Sequence, residues 1–338
     1  MGPGSALRFA WDDGVLVFTK SGFQFMTSIA IVGSGLIGRA WATVFASHGC
    51  DVALHDVAPG AAEAARAHIG TNLTELAGHG LVDDPTGSLA RIRVAADLAD
   101  ALTGADLVQE NGPETVEAKR ALFAEMDALA TPETILASST SFIMASVFSE
   151  TLPGRARCLV AHPVNPPHLV PIVELAPAPW TDPAVVERAK AIYEAAGQVP
   201  ITLRKEKAGF VLNRLQAVLL AEAFRLVGEG VASAQDVDKT IRDGLGLRWA
   251  FMGPFETIEL NAPGGIPDYC ARYSASLDRM VKSSEGLGNP FDAATVATVM
   301  SEWPGTQSAE RVKRLSDWRD TRLAALQAHK RAAATKPT

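Results

Sequence analysis

The feature that most narrows what this chain can become is the stretch 28–45, SIAIVGSGLIGRAWATVF. Ile29, Ile31 and Val32 form a β-branched run of the kind that fills a buried strand. The run breaks into Gly33-Ser34-Gly35-Leu36-Ile37-Gly38 and resumes with apolar residues at helical spacing. Strand, G-x-G-x-x-G, helix is the order a dinucleotide fingerprint requires. Gly33 permits the tight turn, Gly35 lets the backbone approach a pyrophosphate, and Gly38 lets helix and strand pack closely. The N–H groups at the helix start, around Leu36 and Ile37, then face the phosphates. Taken alone, the same residues also describe an ordinary glycine-rich turn. The next strand-like run, Asp51 to Asp56, adds what such a turn lacks. Asp56 stands about 20 positions past the glycines, where a carboxylate accepts hydrogen bonds from an adenosine ribose. It would repel a 2′-phosphate, so the expected cofactor is NAD rather than NADP.

At 338 residues there is room for two domains. A net charge of −7 gives no basic footprint for nucleic acid or an anionic membrane. No apolar run is long enough to span a bilayer. Cys50, Cys158 and Cys270 form no C-x-x-C pair, so neither a metal site nor a disulfide framework is indicated. A reduced, cytoplasmic protein is expected. Residues 1–25 read as a tag remnant (Met1 to Ser5) followed by an N-terminal extension, without the basic start and apolar core of a signal peptide.

From residue 26 the pattern alternates. Strands are expected at Ile92–Val94, Ala105–Glu110, Ile135–Ser138, Arg157–Ala161, Leu169–Leu175 and Gln198–Leu203. Helices are expected at Pro59–Gly78, Glu114–Ala130 and Pro183–Ala196, with a turn over Asp83–Gly87. Such alternation predicts a mainly parallel, doubly wound α/β sheet of Rossmann type over 26–206. From Lys207 the periodicity is helical alone, so 207–338 is expected to be an all-helical C-terminal domain that binds substrate or dimerises. Its apolar helices suit burial in a homodimer, and equally suit a monomer core.

Ligands in such sheets sit beyond the carboxyl ends of the strands. Glu110–Lys119 and Ser138–Ser141 are therefore placed to reach cofactor or substrate. His162 ends an apolar strand, a place where histidine is commonly only structural. Glu174, however, interrupts the apolar Pro171–Leu175, where an unpaired carboxylate is costly. A hairpin-like return would bring the two together. Asn213 likewise interrupts the apolar Phe210–Leu215.

The glycine loop, Ser138-Ser-Thr-Ser141, His162-Pro-Val-Asn-Pro166, Val173-Glu-Leu175 and Gly209-Phe-Val-Leu-Asn-Arg-Leu215, in this order and spacing, resemble the 3-hydroxyacyl-CoA dehydrogenase family. Arg248–Thr257 and Trp318-Arg-Asp320 look most like its λ-crystallin/L-gulonate 3-dehydrogenase branch. The resemblance implies catalytic roles for Ser141, His162, Glu174 and Asn213. It implies NAD contacts at Gly33, Gly35, Leu36, Ile37, Gly38, Asp56, Glu114, Lys119, Ser141 and Asn165. The activity so implied is oxidation of an L-3-hydroxy acid to the 3-keto acid.

The family's acyl-CoA branch holds CoA phosphates with a lysine-rich helical arm. Here no lysine occurs between Lys20 and Lys119, and Pro59–Leu81 offers only Arg66 and histidines against Glu63 and Glu75. A small free hydroxy acid such as L-gulonate is therefore expected, with Arg248 as carboxylate partner beside Ser141 and Asn213. The alternatives are a 3-hydroxyacyl-CoA (3-hydroxybutyryl-CoA) dehydrogenase, an L-carnitine dehydrogenase, and a non-catalytic NAD-binding structural protein of crystallin type.

Overall fold

The computed structural model describes residues 11–12, 15–16, 27–284, 286, 288–303 and 308–333. The expected tag remnant and extension lie outside them, apart from an antiparallel pairing of Trp11–Asp12 with Val15–Leu16.

Eight strands form one sheet: β1 (Ser28–Val32), β2 (Asp51–His55), β3 (Ile92–Val94), β4 (Leu107–Glu110), β5 (Ile135–Ser138), β6 (Cys158–Pro163), β7 (Ile172–Pro177) and β8 (Val199–Thr202). Their spatial order is β8-β7-β6-β5-β4-β1-β2-β3. The first six run parallel. They keep the 3-2-1-4-5-6 order of a dinucleotide-binding sheet, whose strand order reverses between β1 and β4. β7 returns antiparallel to β6, and β8 runs parallel to β7.

Alternate residues of the strands serve two cores, as the period of a strand requires. On one face Ile29, Ile31, Leu54 and Leu159 lie under α1 (Leu36–Ser47) and α4 (Pro183–Ala195). There Trp41 sits 5.4 Å, centroid to centroid, from both Phe45 and Tyr193. On the other face Ala30, Val32, Val108, Leu136 and Val160 meet Phe123 and Met126 of α3 (Val116–Leu129) and Phe148. Covering both faces explains why the strands read as near-continuous apolar runs. Each large side chain fully removed from water contributes about 1.5–3 kcal/mol. α2 (Ala61–Gly78) packs against α1.

Beyond Thr202 the described elements are helical, chiefly α5 (Leu212–Gly228), α6 (Gly265–Ser283), α7 (Ala293–Glu302) and α8 (Ala309–Ala332). α8 comes back to the sheet: Ala324 joins the core beneath α1, Gln327 donates to the Leu169 carbonyl, and Arg331 donates to that of Leu81.

The expected turn at 83–87 is instead the start of a helix, Pro85–Ala90. The Asp84 carboxylate accepts the Gly87 N–H at 2.8 Å and Pro85 occupies the helix start, so the signal was the cap. Six residues are too few to show a period. The helical stretch 234–249 is a composite of Ala234–Lys239, a π turn at Thr240–Leu245, and Gly246–Trp249.

Candidate active site

The glycine loop leaves the carboxyl end of β1 at the point where strand order reverses. Gly33 has φ +89°, and a Cβ there would sit 2.9 Å from the Asn111 carbonyl oxygen. A Cβ on Gly38 would lie 1.8 Å from the Gly33 oxygen. These two glycines let the loop fold. Gly35 differs, because nothing lies within 4 Å of where its Cβ would be. Gly35 caps α1 without a side-chain bond, and the first turn holds no acidic residue. The opening N–H groups of α1 therefore border open space. Asp56 closes the loop's other side: its Oδ2 accepts the N–H and hydroxyl of Ser34, both at 2.7 Å, and its Oδ1 accepts the Ala58 N–H. Partial burial alone would raise this carboxyl, but those hydrogen bonds outweigh it and hold it below the usual carboxylate range. An uncapped helix start, room over Gly35 and an ionised carboxylate at the end of β2 fit an NAD pyrophosphate and ribose.

The antiparallel register of β6 and β7 sets His162 directly opposite Glu174. The imidazole Nδ1 lies 2.8 Å from Glu174 Oε2, with both side chains buried. The second oxygen of Glu174 accepts the N–H groups of Val211 and Leu212, at 2.9 and 3.0 Å, where α5 begins. Burial raises the Glu174 carboxyl, but His162 and the two backbone donors together bring it below its ordinary value. An ionised carboxylate only accepts, so Nδ1 carries the hydrogen; in the neutral imidazole the lone pair is then on Nε2. The chain enters α5 through Gly209 and Phe210 at φ +75° and +50°. For a bulky residue that left-handed conformation is unusual. It lays the Phe210 ring 5.3 Å from the imidazole and brings Asn213 within 3.0 Å of the Ser141 carbonyl.

Ser141 belongs to a turn, 138–143, whose backbone donors are all held. The Ser139 N–H goes to the Glu110 carbonyl, Thr140 to Ser138 Oγ, Ser141 and Phe142 to Glu114 Oε1, and Ile143 to Thr140 Oγ. The hydroxyls of Ser138, Ser139 and Thr140 donate to Glu110, Asn111 and Glu114. That of Ser141 makes no hydrogen bond to a described residue. Lys119 is 1 % exposed and pairs with Glu110, which is itself fully buried. Asn165 is exposed on the loop after β6, and Arg248 is exposed on Gly246–Trp249, neither hydrogen-bonded to the histidine pair among the described residues. Sequence reasoning passed over Glu110, Ser138 and Phe210 as individual contributors. Glu110 carried a signal close to the one at Glu174, a carboxylate in an otherwise apolar strand, though at the strand's end rather than inside it.

A doubly wound sheet with this loop, and a histidine–carboxylate pair at the carboxyl end of β6, defines a two-domain nicotinamide-dependent dehydrogenase. The model of the 3-hydroxyacyl-CoA dehydrogenase NAD-binding domain matches residues 28–207, and that of its C-terminal domain matches 209–289. The chain belongs to the 3-hydroxyacyl-CoA dehydrogenase family and is an NAD-dependent oxidoreductase. It is 40% identical to λ-crystallin of Oryctolagus cuniculus over 308 residues, 90% of this chain and 96% of the relative. It is 37% identical to L-carnitine dehydrogenase of Pseudomonas putida over 313 residues, again 90% and 96%. Among solved structures, the NAD+-dependent 5-formyl-3-hydroxy-2-methylpyridine 4-carboxylic acid 5-dehydrogenase superposes with a TM-score of 0.76 at 28% identity, covering 90% of this chain and 98% of that one.

Proposed function

We propose that the protein oxidises a free L-3-hydroxy acid of the L-gulonate kind to the 3-keto acid. The observation that carries this choice of substrate is the state of Arg66. It is the sole arginine or lysine in Pro59–Leu81, and its guanidinium is engaged internally by the carbonyls of Ile92 and Leu89, at 2.7 and 3.2 Å. Its one cation is thus partly committed to the fold, and the segment carries no second guanidinium or ammonium for the phosphates of a CoA tail. A relative named for L-carnitine, itself a free 3-hydroxy acid, supports the same reading.

Bound NAD supplies the nicotinamide ring that accepts a hydride. His162 Nε2 takes the proton of the substrate hydroxyl while the hydride leaves C3 and the C–O bond becomes a carbonyl. Glu174 holds the imidazole in the required tautomer and stabilises it once protonated. The free hydroxyl of Ser141 and the side chain of Asn213 hydrogen-bond the reacting oxygen as its charge changes. Arg248 pairs with the substrate carboxylate.

The domains then divide at about residue 206, with the helical part forming a homodimer in the cytoplasm. Exposed Leu215, Val218, Phe255, Leu260 and Met280 support an apolar face of that kind.

The test is a panel of L-gulonate, L-carnitine and L-3-hydroxybutyryl-CoA with NAD and NADP. The free acids should be turned over with NAD, and Arg248→Ala should raise their KM about tenfold or more. Turnover of the thioester alone would overturn the substrate assignment. His162→Gln should bind NADH and lose roughly 10²–10⁴ in kcat; near-full kcat would remove the base assignment.

A further inference from the structure

Three buried side-chain polar atoms among the described residues lack a hydrogen-bond partner: His168 Nδ1, Gln198 Oε1 and Arg225 Nε. The first two belong to residues that line one cavity of about 170 Å³. Its walls come from the last turns of α1 and α2 (Val44, Leu76), the loop joining β6 to β7 (His168), the residue before β8 (Gln198), and the end of α8 (Gln327, Arg331). None of His162, Glu174, Ser141 and Asn213 lines it.

A buried acceptor without a donor is costly, so two such atoms at one cavity call for a polar occupant. Gln198 is 7 % exposed, and its amide is held the way round it stands because Nε2 donates to the Pro167 carbonyl. Oε1 is therefore an acceptor awaiting a donor. Burial pushes His168 down to about 4, against an opposing pull from Asp320, so its ring is neutral at pH 7 and takes part in one further hydrogen bond through Nδ1. No aspartate or glutamate lines the cavity, and Arg331 is its one permanent charge. That guanidinium is exposed and gives a single hydrogen bond among the described residues, from Nη1 to the Leu81 carbonyl at 3.0 Å, which leaves most of its N–H donors for an anion. A cavity of roughly 150 Å³ takes a molecule of benzene's size, so this one has room for about six or seven non-hydrogen atoms. The six-carbon acid proposed as substrate is too large for it.

We propose that this cavity is a second binding site, apart from the site of hydride transfer, for a hydroxycarboxylate of three or four carbons. The carboxylate pairs with Arg331, the hydroxyl donates to Gln198 Oε1, and His168 Nδ1 meets the remaining polar atom. Occupancy ties α8 to the loop between the two strands that carry His162 and Glu174, and stabilises the folded chain by mass action.

The test is L-lactate, a three-carbon acid with no hydroxyl at C3, titrated calorimetrically into the NADH-saturated protein. Binding should saturate with a Kd of about 1 mM or tighter, and the melting temperature should rise with lactate concentration. Acetate, which lacks the hydroxyl, and glycerol, which lacks the carboxylate, should each bind about tenfold more weakly. Arg331→Gln and Gln198→Leu should each weaken lactate binding about tenfold, with kcat for the substrate near wild type. Gln198→Leu replaces the unpartnered amide by an apolar group of similar size, so it keeps the test open should Arg331→Gln loosen α8. Arg248→Ala should leave lactate binding unchanged. Absence of saturable binding up to ~50 mM would mean that the cavity takes water only, and would overturn the proposal. So would lactate binding that survives both cavity variants or is lost in Arg248→Ala, since the ligand would then sit elsewhere. Glycerol bound as tightly as lactate would refute the carboxylate assignment.

Discussion

Glu174 does two things with its two oxygens: one holds the Nδ1–H of His162, the other the first N–H groups of α5. The two tasks separate in Glu174→Gln. The amide oxygen can still accept from Val211 and Leu212, but the amide N–H₂ facing His162 favours a hydrogen on Nε2, which removes the lone pair the reaction needs. We expect a folded protein that has lost roughly 10²–10⁴ in kcat. The same residue gives a pH dependence. Its folded pKa lies below the unfolded value, so the bonds it makes contribute stability that is fully present above the unfolded pKa, about 4.3. That contribution is lost as pH falls through the folded pKa. Melting temperatures taken from pH 7 to 3 should drop less steeply for Glu174→Gln than for wild type. Parallel curves would show that the carboxylate carries no acid-linked stability.

At the scale of an element, β1, the glycine loop and α1 act as a unit whose glycines have separable duties. Gly38 faces the Gly33 oxygen at a distance no Cβ tolerates, so Gly38→Ala must open the loop. The expected outcome is a loss of stability of about 2 kcal/mol or more, together with loss of NADH binding. Gly35 faces open space, and Gly35→Ala should melt within a degree or two of wild type yet bind NADH at least about tenfold more weakly, since the methyl occupies the pyrophosphate's path. Calorimetry and NADH titration on the two variants distinguish these duties. If Gly35→Ala binds NADH normally, the dinucleotide does not approach the loop there. The β6–β7 hairpin is the second decisive element, because its register alone turns two residues twelve positions apart into a hydrogen-bonded pair, the proposed base and its carboxylate partner.

At the scale of the whole molecule, the sheet half and the helical half differ in how they treat apolar side chains. The sheet buries them on both faces, whereas α6 exposes Tyr273, Leu277, Met280 and Val281. Their spacing of four, three and one places them on one side of the helix. A stripe of that kind in water calls for a covering surface, and a second copy of the chain is the occupant proposed. Wild type should sediment at twice the chain mass of 35.7 kDa, and Leu277→Glu/Met280→Glu at the single mass with its NADH affinity retained. A wild-type monomer would refute this assignment. α8 links the two halves from the other side, through Ala324 in the core under α1 and through Gln327 and Arg331 on the carbonyls of Leu169 and Leu81.

Local order was enough for much of this. The glycine spacing, the β-branched runs and the turn residues specify the strands, most of the long helices and the loop at the end of β1, because each depends on neighbours a few residues away. The polar interruptions at Glu174 and Asn213 marked positions where the chain accepts a cost, and so pointed to function. What they met was decided only in three dimensions. The pairing of His162 with Glu174 needed the strand register, the approach of Asn213 to Ser141 needed the left-handed step at Phe210, and the grip of Glu110, Glu114 and Lys119 on one turn needed β4, α3 and β5 to pack side by side. Sequence determines which groups are expensive to bury; the packing of distant elements determines which partners make that burial favourable.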